Sequence, residues 1–203
     1  MQGSSKEGVS ETVAGPGERE SSVIRVIGEE GLHGFTFEGL KRKLGAHSET
    51  LSRILARLED QGVLQKTGNG YIVTEMGRDI AVSRHLGAQR AGVVLLRTLL
   101  PPYQEGRVRA WLMGRWFGPL RWLGYSAGAE GTTMKWITES GRAQVDATFS
   151  GDELLIEGRA EGEELSEAIA ASHQLVGHIS RLYERERHMP PYSEVGQPAP
   201  FEN

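Results

Sequence analysis

The sequence predicts an α+β chain of two folded blocks, and three observations carry that expectation. Between about residues 20 and 86, apolar residues recur at helical spacing and glycines punctuate the pattern. Between about 91 and 187, short runs of strand character lead into one long helical stripe. At the two ends, residues 1–19 and 188–203, apolar side chains are too sparse to offset the entropy of ordering. These ends are expected to form a disordered arm and a disordered tail, the latter with four prolines.

Composition sets the outer bounds. The 203 residues suffice for one large domain or two small ones, and 38% hydrophobic with 25% charged residues fits a water-soluble chain. The chain has no cysteine, which excludes disulfides, thiolate metal sites and cysteine nucleophiles. No apolar run approaches the ~20 residues of a membrane span. The first residues, Met1 to Glu7, lack the apolar core of a secretory signal, so a cytoplasmic protein is expected. The net charge of -4 is unevenly spread: residues 21–90 carry +2, residues 97–125 carry +4 and residues 126–203 carry -8. Charges beyond ~8–10 Å are largely screened, so the global sign does not oppose binding to an anion by a locally basic face.

Within the first block, Phe35-Thr36-Phe37-Glu38-Gly39-Leu40 reads as a helix start. Thr36 suits the N-cap, Glu38 the positive first turn, and Phe35 can staple to Leu40. Gly45, after Leu44, suits a left-handed C-terminal cap. Ser48 is expected to cap a second helix, Glu49–Gln61, which stops at Gly62. Leu51, Ile54, Leu55 and Leu58 form its inward stripe, while Glu49, Thr50, Ser52, Arg53, Ala56 and Arg57 face outward. Val63–Thr67 and Tyr71–Thr74 are then two strands joined across Gly68-Asn69-Gly70, and a helix around Asp79–Leu86 leads to the second block. Two short helices joined by a glycine-containing turn are a helix-turn-helix arrangement. Small hydrogen-bonding groups followed by two arginines one turn apart suit a helix that enters a major groove. Arg53 can pair with guanine or grip a phosphate, and both readings stay open.

The stretch FEGLKRKLGAHSETLSRILARLEDQGVLQKTGNGYIVTEMGRDIA, with its Leu-Gly turn, its Ser-x-Thr-x-Ser-Arg run and its Gly-centred hairpin, resembles the winged helix-turn-helix of MarR-like and related archaeal regulators. The likeness covers about a third of the chain. It implies an N-terminal winged helix-turn-helix over 20–86, with Ser48, Thr50, Ser52, Arg53 and Arg57 as recognition-helix contacts and Lys66 and Asn69 as wing contacts. The wing departs from the pattern in being short, with a single lysine. The function implied is sequence-specific binding of double-stranded DNA in transcription regulation, by a homodimer on a pseudo-palindromic site. One winged helix alone makes too few base contacts for useful discrimination. The alternative, from another class, is a winged-helix scaffold that binds protein partners and no DNA.

The second block, 91–187, is expected to be an α+β dimerisation or effector domain with a small antiparallel sheet and a long C-terminal helix. Val93-Val94-Leu95-Leu96, closed by Pro101-Pro102, reads as a short buried strand. From Arg107 to Tyr125, Val108, Trp111, Leu112, Trp116 and Leu120 follow one helical stripe, with a break at Gly118-Pro119. Three strands follow: Thr132–Thr138, Ala143–Phe149 and Leu154–Gly158. In the middle one, Ala143, Val145, Ala147 and Phe149 share a face and Gln144, Asp146 and Thr148 the other, as in a sheet covered on one side. A helix over Glu163–Arg187 closes the block.

Two candidate sites lie here. Trp111, Arg115, Trp116 and Trp122 combine aromatic faces with cations, which suits a planar or anionic small effector. Leu165, Ile169, Ser172, Val176, Ile179 and Tyr183 repeat at spacings of four and three, a seam that fits either a dimer or the chain's own sheet. No catalytic, metal or cofactor site is expected. His173 and His178 are five apart, ~140° around a helix, so they do not share a face as zinc ligands would. His33, His47 and His85 have no ligand-spaced partners, and no Ser/His/Asp order suggests a nucleophile. The chain is expected not to be an enzyme.

Overall fold

The computed structural model describes residues 16–84, 92–100, 105–129, 131–160 and 164–187. The elements run α1 (Pro16–Glu29), β1 (Gly34–Phe35), α2 (Phe37–Leu44), α3 (Ser48–Asp60), β2 (Leu64–Thr67), β3 (Gly70–Val73), α4 (Glu75–Arg84), β4 (Val93–Leu99), α5 (Glu105–Leu112), β5 (Leu120–Gly128), β6 (Gly131–Thr138), β7 (Gln144–Ser150), β8 (Glu153–Arg159) and α6 (Leu165–Arg187). One eight-stranded sheet has the order β2-β3-β1-β5-β6-β7-β8-β4. Each neighbouring pair is antiparallel. The fold is thus mixed helix and strand, with a long C-terminal helix.

Local chemistry explains most element ends in the first block. Thr36 takes extended dihedrals, and its Oγ1 accepts from the Gly39 amide at 3.1 Å, capping α2. Gly45 closes the same helix at φ 59°, a conformation costly for a residue with a Cβ. The cap expected of Ser48 is not made. α3 starts at Ser48 itself, and His47 before it holds the N-cap position without a side-chain bond. α1, Pro16–Glu29, was not among the expected elements, and its start puts residues 16–19 in a helix and not in the arm. Proline at the first helical position suits this, because its missing N–H would have no partner in the helix. Val23, Ile24 and Ile27 of α1 pack with Leu40 of α2, with Leu51, Leu55 and Leu58 of α3, and with Val73 of β3.

The second block differs from its expected outline in three ways. Four strands, not three, follow α5, because Leu120–Gly128 forms β5 where a helical stripe was expected. α5 stops at Leu112; Gly114 and Gly118 then take φ of 75° and 54°, which turn the chain and release Trp116 and Leu120 from any common helix face. Second, β4 is no buried strand: it is the terminal strand of the sheet, and Val93 and Val94 are 50% and 54% exposed. A continuous apolar run marks a strand without saying where in the sheet it lies. Third, both faces of the middle strand are covered. Val145, Ala147 and Phe149 face the core with Trp122, Trp136, Leu175 and Ile179, while Gln144 and Asp146 are also buried.

The cover on that second face is the N-terminal block. β1 pairs with β3 on one side and with β5 on the other, so the two blocks share a sheet as well as the chain through α4. Close approach at this seam is set by two glycines. A Cβ on Gly39 would lie 2.5 Å from the Trp122 carbonyl oxygen, and one on Gly124 would lie 2.2 Å from that of Gly34. Across the same seam the Thr36 hydroxyl donates to the Trp122 carbonyl at 2.9 Å, and the Ala127 amide donates to His33 Nδ1 at 3.2 Å. Among the described residues no helix is long and apolar enough to cross a membrane.

Candidate nucleic-acid interface

α3 splits its residues by face. Leu51, Ile54, Leu55 and Leu58 are buried, while Ser48, Ser52, Arg53 and Arg57 are exposed and Thr50 is half-buried. The β2–β3 hairpin lies beside the C-terminal half of this helix, where the Lys66 amide donates to Glu59 Oε1 at 3.4 Å. Lys66 and Asn69 are exposed at the hairpin end. There the Thr67 hydroxyl donates to the Gly70 carbonyl at 3.1 Å and accepts from the Asn69 amide at 3.3 Å, which stiffens the turn. The seven side chains singled out in the sequence therefore lie on one helix and its adjoining hairpin.

Carboxylates accompany both arginines. Arg53 pairs with Glu49 one turn back, and Arg57 with Glu20 of α1 at 3.1 Å. Arg53 and Glu49 are 76% and 79% exposed. Such pairs are worth ~0–1 kcal/mol, so a phosphate or a base edge can displace them at small cost. The Arg57 pairing links the α3 surface to α1, a contact between residues 37 apart.

A second, buried group of charges lies beneath the N-terminal block. Glu30, just after α1, is 4% exposed. Its carboxylate meets Lys43 of α2 at 2.7 Å, Arg159 of β8 at 2.7 Å and Lys135 of β6 at 3.4 Å. Asp146 of β7 pairs with the same Lys135 at 3.2 Å and with Arg159. Gln144 ties the set together, donating to Glu30 at 2.9 Å and to Asp146 at 2.8 Å and accepting from Lys43 at 2.7 Å. Burial alone would raise the Glu30 pKa, but Arg159, then Lys43 and Lys135, outweigh it and hold the group at about 2. For Arg159, burial favours the neutral form, and the Asp146 and Glu30 carboxylates overcome it and raise the pKa. Sequence reasoning missed these residues. The signal was Lys135 inside the apolar run Met134-Lys135-Trp136-Ile137, whose strand alternation puts it on the same face as Asp146.

The other expected sites fare differently. Trp111, Arg115, Trp116 and Trp122 do not converge on one pocket. Trp122 is 5% exposed and meets Trp136 edge-on in the core. Trp111 lies under the Arg115 guanidinium, 4.6 Å from its centroid, and Trp116 projects outward at 59% exposure with Arg121 stacked on it. The helical seam is largely core. Ser172 and Ile179 are buried against the sheet with Ala168, Ala171 and Leu175, while Leu165, Val176 and Tyr183 pack at the edge of that core. Ile169 alone of the six is exposed. Ser172 fits because its hydroxyl donates back to the Ile169 carbonyl at 2.7 Å. His85 lies outside the described residues. Among the described residues no three His, Asp or Glu side chains converge as metal ligands.

Comparison with protein-family models, with curated proteins and with solved structures finds no match to this chain.

Proposed function

We propose that α2, α3 and the β2–β3 hairpin form a winged helix-turn-helix that binds double-stranded DNA sequence-specifically, in a homodimeric transcription regulator. The observation that carries this reading is the solvent face of α3. Ser48, Ser52, Arg53 and Arg57 project from one helix next to a stiff hairpin bearing Lys66 and Asn69. Major-groove readers need such a face: short hydrogen-bonding groups where the helix enters, bidentate donors one turn further on, and a backbone contact beside it. The opposite face is fully committed to the core, so the helix can be presented rigidly.

Selection of tight binders from a random duplex pool by the full-length protein tests this reading, with an enriched motif as the expected result. Arg53→Ala should then cost ~1–3 kcal/mol at one base position if it reads a base. Arg57→Ala should weaken all sequences alike and make the salt dependence shallower by about one phosphate contact.

A second reading, a scaffold that binds protein through the same face, has one observation in its favour. α3 carries Glu49, Glu59 and Asp60 against Arg53 and Arg57, and both arginines are already paired. A pool without enrichment selects that reading instead, whereas an Arg53/Arg57 double variant that binds the best duplex as wild type does would show that DNA meets another surface.

A further inference from the structure

We infer that β4 is the strand through which two copies of this chain associate, antiparallel and edge to edge about a two-fold axis, joining their sheets into one of sixteen strands. Among the described strands β4 pairs only with β8, so its outer row of backbone N–H and C=O groups faces no other described strand. Its side chains are those of an interior strand. Val93, Val94 and Leu99 are 50%, 54% and 72% exposed, three of the most exposed large apolar residues described. The strand has one charge, Arg97, which Glu153 of the same chain holds at 2.9 Å.

The opposite edge of the sheet shows what an edge looks like when it is kept from pairing. β2 exposes Gln65, Lys66 and Thr67, polar and charged. Soluble proteins guard free edges with such residues, and especially with lysine. β4 has no lysine and only the paired arginine as a charge, and its one irregularity is the register shift between Val94 and Leu96.

The composition of this chain favours a second β4 over the other occupants of that edge. Residues 1–15 contain only Met1, Val9 and Val13 as large apolar side chains, and residues 188–203 contain four prolines, which cannot donate to a ladder. A second copy of β4 supplies an apolar, β-branched, nearly uncharged strand. Self-pairing also meets the demand of a closed two-fold interface, that one surface complement itself. Any axis that falls away from Arg97 keeps the two guanidinium groups from facing one another, so no like-charge pair is forced. The inference rests on the homodimer proposed above and names its interface. A monomeric wild type removes the dimer from both readings, whereas a dimer that survives the double variant removes only this one, and neither result bears on binding of DNA by α3.

The test is the mass of the full-length chain in solution at micromolar concentration, by light scattering and sedimentation. The expected result is a dimer for wild type. The Val94→Lys/Leu99→Lys double variant should be a monomer with an unchanged circular dichroism spectrum, its dimer dissociation constant raised about a hundredfold or more. Because the chain lacks cysteine, single cysteines scanned through Val93–Leu99 locate the axis. Oxidation should cross-link copies at one position or two adjacent ones, and an Ile169→Cys control on α6 should not cross-link. A monomeric wild type, a double variant that remains dimeric, or cross-linking through Ile169 in place of β4 would each overturn the inference. So would a wild-type monomer that dimerises only when residues 188–203 are removed, since the chain's own tail would then be the occupant.

Discussion

Replacing Glu30 by glutamine preserves its size and its capacity to hydrogen-bond while removing its charge. Lys43 would then lose its carboxylate partner, and Lys135 and Arg159 would keep Asp146 as the only carboxylate left in the cluster. The magnitude follows from the group's own titration. Its pKa falls from 4.5 to about 2 in the folded protein. At ~1.4 kcal/mol per pH unit this is roughly 3 kcal/mol, in line with the ~3–5 kcal/mol usual for breaking a buried pair. Solvent screening removes little of it, since Glu30 is 4% exposed. The folded-state pKa lies below the unfolded one, so the stabilisation is complete above about pH 4.5 and is lost as pH falls toward about 2. Urea unfolding near pH 7 should therefore show Glu30→Gln to be roughly 3 kcal/mol less stable than wild type. The gap should close through the acid range. Glu29→Gln is the control, because Glu29 makes an exposed pair with Arg25 at 3.1 Å and should cost less than ~0.5 kcal/mol. A difference below ~1 kcal/mol near pH 7, or one that does not shrink on acidification, would refute the reasoning.

Three further outcomes follow from other parts of the structure. Gly39→Ala should destabilise the protein by ~1–3 kcal/mol in thermal or urea unfolding, because its Cβ would lie 2.6 Å from the backbone of Leu123, where no flexible side chain can yield. Glu20→Gln should strengthen DNA binding about two- to fivefold in a titration by anisotropy, since it releases Arg57 from an exposed pair; unchanged or weaker binding would show that Arg57 does not meet DNA. If two copies pair through β4, fifteen strand intervals of ~4.8 Å put their outer hairpins at most roughly 70 Å apart. That is about two turns of duplex, so selected operators should have half-site centres ~20–21 base pairs apart, and a spacing of ~10 base pairs would contradict that arrangement.

What was legible in the sequence was local. The Thr36 cap and the Gly45 terminus depend on residues within a turn of each other, and both follow the expected chemistry. The buried stripe of α3 follows helical spacing and needs no knowledge of the partner. What escaped depends on partners far along the chain. Gln144 and Asp146 alternate as a solvent face would, yet Glu30, more than a hundred residues earlier, accepts from Gln144 and shares Lys135 and Arg159 with Asp146. Val93 and Val94 have the composition of an interior strand, and only the sheet order puts them at its edge. In the Trp segment the positive φ of Gly114 and Gly118 ended a helical stripe that periodicity alone extended. The seam on α6 was read at coiled-coil spacing, but the helix packs on the sheet through a stripe shifted to Ala168, Ala171 and Leu175. Both stripes share Ser172 and Ile179, which is why spacing alone left two partners open.

The buried charges bear on how the α3 face is held. A hydrophobic seam between the two blocks would tolerate sliding, because apolar contact is non-directional. Here the seam is a short strand pairing, two glycines at backbone contact and a set of ion pairs whose members come from α2, β6, β7 and β8, with Glu30 just after α1. Each is directional, and shifting β1 by one residue along β5 would move Glu30 and Lys43 about 3.3 Å from their partners, leaving charges buried and unpaired. Replacing such a cluster by apolar residues of similar volume often costs no stability, so its presence is better explained by register than by strength. The register it fixes is that of α1 and α2 over the sheet, and α3 follows α2 after the three residues Gly45, Ala46 and His47. The orientation of the exposed α3 face is thereby tied to the sheet, and through the sheet to whatever β4 pairs with.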